Sequence, residues 1–519
     1  MRSLALLVFA SSASLWAAEP NYPTLVRTGA DGRLVYRAYN ETGDTVLDFS
    51  HCGYGGGGVA LPNAPVKIRV QPKANGDDTA RVQAALDELA RLPLGPDGLR
   101  GAVLLTRGTY RIAGTLKMTA SGVVLRGEGQ NEDGTVLEAT GKTQRNLIEV
   151  GVGRPPKRRA EANVRIVDAY VPVGARSFRV ANAGALRVGQ GLVVERHGNA
   201  AWISALGMDR IKGRPGRETE TKQWTPFTLS FDRVITALEG DRVTVDAPIA
   251  CAIDERWGGG VVVPLTEDAR PERIGVENLR AVSEFDPSVT LVHGQDLRYA
   301  ADERHATHLV QFAHVKNAWA RDVTAVHFYH GVALIDNGAK WITVQDSTSL
   351  APVSKIDGGR RYPFHISGGQ LSLVLRCRSE GARHAFVVGA RVAGPNAFVD
   401  GVSRNEFATS EPHHRWSVGG LYDNIESDIA FQDRQWMGTG HGWAGANYVA
   451  WNTRGTLICQ QPPTAQNFSF GHVGRRERGA FDRPAGHWES EGKPVAPKSL
   501  YFAQLADRLG SEASDRLKK

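Results

Sequence analysis

The chain has 519 residues, 62 Lys and Arg against 55 Asp and Glu for a formal charge of +7, and four cysteines. That length allows one large core or several domains, and so few cysteines exclude a disulfide scaffold. No CxxC or HExxH occurs, which leaves structural zinc and zincin-type hydrolysis without support, while the basic balance suits an anionic partner.

In chain order, MRSLALLVFASSASLWAAEP reads as a signal peptide over residues 1–18, its apolar stretch too short for a membrane span. The expectation is a secreted or periplasmic protein. Export argues against a nucleic-acid role and leaves a polyanionic polysaccharide as the expected partner. No later segment is apolar enough to cross a bilayer, and the sequence leaves oligomeric state open.

After an N-terminal extension (19–74), NGDDTARVQAALDELARL predicts a helix with Val82, Ala85, Leu86 and Leu89 on one face. Asp77 and Asp78 serve its start. Short β-rich runs follow: AVLL, YRI, TLKM, GVVLRG and TVLEA. Similar groups return at EANVRIVD, ERIGVENLRAV, HLVQFAHVKNAWARDVTAV, KWITVQDSTSL, QLSLVLRCRSEGA and NYVAWNTRG. Recurrence at this interval predicts a stacked β-solenoid, with the helix covering its first coil. Residues 197–230 are polar and interrupt GLVVER and FDRVITALEGDRVTVDAPI, so they are expected as a lobe over one face. The tail (461–519) is expected to return to the body with a short helix at 499–509.

NGDDTARVQAALDEL, GAVLLTRGTYRIAGTLKM and SGVVLRGEG together resemble the opening of the pectate-lyase-like right-handed parallel β-helix superfamily. The resemblance implies an all-β fold: a right-handed parallel β-helix over 75–460 with an N-terminal capping helix and inserted loops. The superfamily includes polysaccharide lyases, glycoside hydrolases, epimerases and phage tail enzymes, so it does not choose a reaction.

Three segments suggest a site. YPFHISG, RHAFVVG and HHRWSVG come into phase on Gly368, Gly389 and Gly419, which would stack Tyr362, Arg383 and His413 on successive coils about 4.8 Å apart. Between 355 and 415 there are nine Lys or Arg against five acids. Such a mixture suits β-elimination on a uronic-acid polymer. Arg neutralises the carboxylate and acidifies the C5 proton, while His and Tyr move protons.

The candidate catalytic residues are Lys355, Tyr362, Arg383, His384 and His414. Arg383 would neutralise the carboxylate, His384 or His414 would be the base, and Tyr362 or Lys355 the acid. Arg360, Arg361, His365, His413, Arg415, Trp416, His441 and Trp443 are candidate substrate-binding residues. Either His327 or His330 is a further candidate for the groove wall.

The rival reading is hydrolysis by paired carboxylates drawn from Asp336, Asp346 and Asp357. The same three could instead hold a calcium ion for the lyase reaction. No cofactor is otherwise required. A uronate epimerase or a non-catalytic carbohydrate-binding β-helix is the third reading.

Overall fold

The computed structural model describes residues 21–151 and 153–518. The expected signal peptide, 1–18, lies outside the described residues. The body is a right-handed parallel β-helix with three parallel sheets along its length. The first sheet runs from Val66–Val70 through Gly101–Leu105, Gly275–Ser283, Trp319–Val326 and Ser417–Asp423 to His487–Glu489. The second runs from Gly108–Ile112 to Val402–Arg404. The third contains Leu116–Met118, Ile148–Gly151, His308–Ala313, Gly331–Ile335, Phe364–Ile366, Phe386–Val388 and Glu411–Pro412.

Each strand is short because the chain must turn a corner after a few residues. Alternation within a strand still sorts its side chains. In Phe364–Ile366, Phe364 and Ile366 enter the core and His365 faces outward. Inside, Phe364 and Phe386 stack at 5.6 Å on neighbouring coils, and Phe386, Phe398, Tyr422 and Phe431 continue the contact. Many corners are taken by Asn or Asp in the left-handed region, among them Asn317, Asp346, Asp400, Asn424 and Asn452. Their short polar side chains tolerate a conformation that other L-residues avoid.

The helix expected near residue 79 forms at Thr79–Arg91 and buries Val82, Ala85, Leu86 and Leu89 against the first coils. Asp77 Oδ1 accepts from the Thr79 N–H (2.9 Å) and hydroxyl (2.6 Å), so this aspartate serves the helix start as expected.

The interruption of the coil is wider than 197–230. A seven-stranded sheet built from residues 157–267 pairs antiparallel throughout, with Gly191–His197 against Thr228–Glu239 at its centre. The runs GLVVER and FDRVITAL therefore belong to the lobe, and so does EANVRIVD, expected as a coil strand, whose Val164–Arg165 pairs antiparallel with Gly260–Glu267. Residues 197–230, including the helix Ala200–Ala205, connect them. An alternating strand has the same period whether its neighbour is parallel or antiparallel, so the pattern alone did not separate lobe from coil.

The coil also starts before residue 75 and ends after 460, since Val66–Val70 and His487–Glu489 pair parallel within it. The tail helix forms at Leu500–Leu509 and is followed by Ser511–Lys518. Its Gln504 bonds Phe49 N, the Leu47 carbonyl and Tyr36 Oη, which ties the N-terminal extension to the C-terminal tail. All four cysteines are buried and free. Among the described residues no helix is long and apolar enough to cross a membrane.

Candidate active site on the third sheet

The three-rung phase expected on Gly368, Gly389 and Gly419 is not the register of the fold. Phe364 pairs with Phe386, and Val387 with Glu411, advances of 22 and 24 residues. Tyr362 is therefore level with His384, not Arg383. The third rung is Glu411–Pro412, while Ser417–Asp423 has already turned into the first sheet.

A ladder does run along this edge, with other members. The His308 and His330 rings stack at 4.4 Å, and the contact passes to Tyr362 (5.6 Å), His384 (5.2 Å) and His413 (4.8 Å). His413 then meets His414 at 5.2 Å and His441 at 5.0 Å. His330 thus joins the site. His327 turns away toward Phe285.

Its chemical centre is Tyr362 and His413. The Tyr362 hydroxyl lies 3.3 Å from His413 Nε2 and accepts from Arg383 Nη1 at 3.2 Å. His413 Nδ1 is 2.8 Å from both Glu411 Oε1 and Arg434 Nη1; in the Nδ1–H tautomer it donates to Glu411 and turns the Nε2 lone pair toward Tyr362. Arg434 Nη1 donates to Glu411 Oε1 (2.6 Å) and to the His413 carbonyl (2.9 Å). Glu411 and Arg434 are site residues that the sequence reading did not single out. The one local signal of Glu411 is a carboxylate two residues before a histidine pair.

Burial dominates the electrostatics. It holds His308, His330, His384 and His413 well below the usual imidazole range, assisted at His413 by Arg434, His414 and His441. His365 and His414 are lowered to about 4, and His441 falls further, in each case chiefly by burial. Burial also pushes Tyr362 up to about 12, against the opposing pull of Arg383. The site is thus a set of neutral imidazoles beside a protonated phenol.

His384, Glu411 and His413 bring one ligand atom each within 4.8 Å of one another, a spacing a metal ion could bridge. Arg434 Nη1 stands 2.6 Å from Glu411 Oε1 and 2.8 Å from His413 Nδ1, so a guanidinium already fills the cation's place. These residues do not fit a metal with Arg434 where it is.

The remaining candidates divide. His365 and Arg383 are partly exposed beside the centre, and His414, Arg415 and His441 flank it. His384 donates Nδ1–H to the Thr409 carbonyl at 2.5 Å and at 2% is less open than Tyr362 at 5% and His413 at 8%. Lys355 forms no hydrogen bond to the cluster, and its backbone N–H reaches Glu303. Arg360 pairs with Glu303 at 2.8 Å, and buried Arg361 donates to the Ser354 carbonyl. Both are committed to holding the chain.

Trp416 and Trp443 are buried at 0% and 2% exposure, Trp416 edge-on to Trp202. A buried indole presents no face to a sugar, so these two are core residues. The carboxylates of the rival reading are not brought together. Asp346 is bidentate with Arg376, Asp336 accepts from Gln311, and exposed Asp357 faces Arg360. Neither a hydrolytic pair nor a calcium cage forms from these three among the described residues.

No family model and no curated protein matches the chain. Among solved structures, the tailspike protein gp49 from Pseudomonas phage LKA1 is 13% identical, with a TM-score of 0.42 over 77% of this chain and 56% of that one. The Gp54 tailspike of Acinetobacter baumannii bacteriophage AP22, in complex with A. baumannii capsular saccharide, is 11% identical, with a TM-score of 0.42 over 78% and 56%. The polygalacturonase from Erwinia carotovora ssp. carotovora is 9% identical, with a TM-score of 0.35 over 83% and 96%. The chain spans a little over half the length of the two tailspikes it matches.

Proposed function

We propose that the protein is an exported polysaccharide lyase that cleaves a uronic-acid polymer by β-elimination. The observation that carries this reading is the Tyr362 hydroxyl held between Arg383 and His413, with Glu411 fixing the far nitrogen of that histidine.

Arg383 is positioned to neutralise the uronate carboxylate and to stabilise the charge that grows on it as the C5 proton leaves. Neutral His413 takes that proton on Nε2. The C5–H electron pair forms the C4–C5 double bond, the C4–O4 bond breaks, and protonated Tyr362 gives its proton to departing O4. The imidazolium then returns a proton to the phenolate across the 3.3 Å contact, which restores both groups without consuming water.

Arg434 and burial keep His413 in its base form but weaken it as a base. A bound uronate supplies the negative charge that the free site lacks, and Glu411 stabilises the imidazolium. The raised pKa of Tyr362 keeps it a proton donor and argues against a resting phenolate.

The test offers purified protein a panel of uronic-acid polymers and follows ultraviolet absorbance of the new double bond. Wild type should produce it, and Tyr362→Phe and His413→Ala should each lower the rate by about 10²–10⁴-fold. New reducing ends without the double bond would overturn elimination.

A further inference from the structure

Resting on the lyase reading, we propose that Arg391 and Arg415 form a paired subsite beside the reacting centre. It would take acidic groups from consecutive sugar residues, so that the preferred substrate carries an acid on every residue rather than on alternate ones.

The two arginines occupy equivalent places on adjacent coils. Val388 pairs with Pro412, which sets Arg391 level with Arg415, and the Arg391 N–H donates to the Arg415 carbonyl at 3.1 Å. Both have φ of 56°. That is the left-handed region, where Gly or Asn costs an L-chain less and where strain gathers at functional positions. Arg273, Arg361 and Arg376 take the same conformation, but Arg391 and Arg415 do so at paired positions of neighbouring coils.

Neither arginine meets a carboxylate among the described residues. Arg415 donates to Thr439 Oγ1 (3.0 Å) and its carbonyl (3.2 Å), and Arg391 lies 4.3 Å over the Phe227 ring of the lobe. Burial lowers the pKa of Arg391, and the nearby charge of Arg415 adds to that fall. Two like charges on adjacent coils repel unless something anionic lies between or across them.

The surroundings allow a chain to lie there. Arg391, Ser367 and Asn337 from the coil turns face Arg158 and Ser230 of the lobe across a cavity of about 420 Å³ that Asp232 and Arg270 also line, and Arg415 stands one coil on, outside that lining. Adjacent parallel strands are about 4.8 Å apart, close to the advance of one hexopyranose along an extended polymer. A chain running along the solenoid would then present successive carboxylates to Arg391 and Arg415, each able to accept a guanidinium fork.

Binding is measured by calorimetry in a Tyr362→Phe background, so that the probe is not consumed. The probes are oligogalacturonate hexamer, with an acid on every residue, and hyaluronan hexamer, with an acid on every second residue. Arg391→Asn and Arg415→Asn should each weaken the oligogalacturonate complex by about tenfold or more, as expected for one lost charge-assisted contact. Hyaluronan should bind more weakly than oligogalacturonate and change little in either variant. Asparagine suits the left-handed corner, so both variants should melt at or above the parent temperature, which separates lost contact from lost fold.

Unchanged affinity in the double variant, or equal affinity for the two probes, overturns the proposal. The lyase reading fails independently, if wild type binds oligogalacturonate through these arginines yet forms no double bond from any uronate polymer.

Discussion

Two clusters of buried charge lie on this protein, and they are built on opposite plans. Between lobe and coil, Arg270 sits at 2% side-chain exposure with Asp232 at 2.7 Å and Asp268 at 2.8 Å. Lys340, at 1%, reaches Asp232 and Asp246, and Lys316 reaches Asp268. Three cations meet three carboxylates there, and Asp268 is held well below the carboxylate range by Arg270 and Lys316 despite its burial. At the third sheet one carboxylate, Glu411, serves Arg434 and His413, while Arg383, Arg391 and Arg415 stand with none. A balanced cluster closes on itself and holds structure. The unbalanced one leaves three guanidiniums without a carboxylate among the described residues.

That contrast can be broken by removing one acid from each side. Asp232→Ala leaves Lys340 and Arg270 buried with too little negative charge, and it should cost about 3–5 kcal/mol in urea unfolding. The cleavage rate per folded molecule should fall far less than on any change at Glu411, since Asp232 lines the cavity between lobe and coil but bonds neither Tyr362 nor His413. Glu411→Gln should do the reverse, with a modest loss of stability and a rate fall of about 10²-fold or more as His413 loses its orientation. Because Glu411 acts through His413, its variant should also shift the pH profile of the rate, which a merely structural loss would not do.

The histidine ladder sharpens the comparison through pH. Seven imidazoles (His308, His330, His365, His384, His413, His414 and His441) have folded pKa values below their ordinary one. The unfolded chain takes up protons below about pH 6.5 that the folded chain refuses. Stability is therefore present above that pH and is lost as pH falls, at most about 1.4 kcal/mol per pH unit for each histidine. Urea midpoints between about pH 7 and pH 5 should drop steeply, and His330→Asn should flatten the slope. A slope unchanged in that variant would show that His330 titrates normally.

Much of the solenoid was legible because its signal is local: short apolar runs, glycine and Asx corners, and a helix with one apolar face. The site was legible in part. Tyr362, Arg383 and the two histidines at 413 and 414 stood out by composition, but their register did not. Coils of 22 and 24 residues cannot be phased on glycines alone, and the third segment had already left the sheet. Glu411 and Arg434 meet only across a coil, with no sequence spacing to announce them. Trp416 and Trp443 failed as surface platforms because a large apolar ring is recruited by a core as readily as by a sugar.

A third buried acid, Asp423, tests whether isolation reverses the sign. Its Oδ2 accepts from Ser499 Oγ (2.7 Å) and Tyr501 N (2.8 Å), where the tail helix begins. Among the described residues no cation pairs with it, and burial overrides those bonds and pushes the carboxyl up to about 8. The folded chain then keeps a proton that an unfolded carboxyl gives up near pH 3.9. Its contribution to stability is lost as pH rises toward 8, the opposite direction to the histidines. Asp423→Asn holds no such proton, so the variant should gain on wild type across that window by at most about 1.4 kcal/mol per pH unit. Parallel urea titrations at several pH values read this directly. A constant difference between the two proteins would mean that Asp423 is ionised in the fold and that the helix start, rather than a proton, balances it.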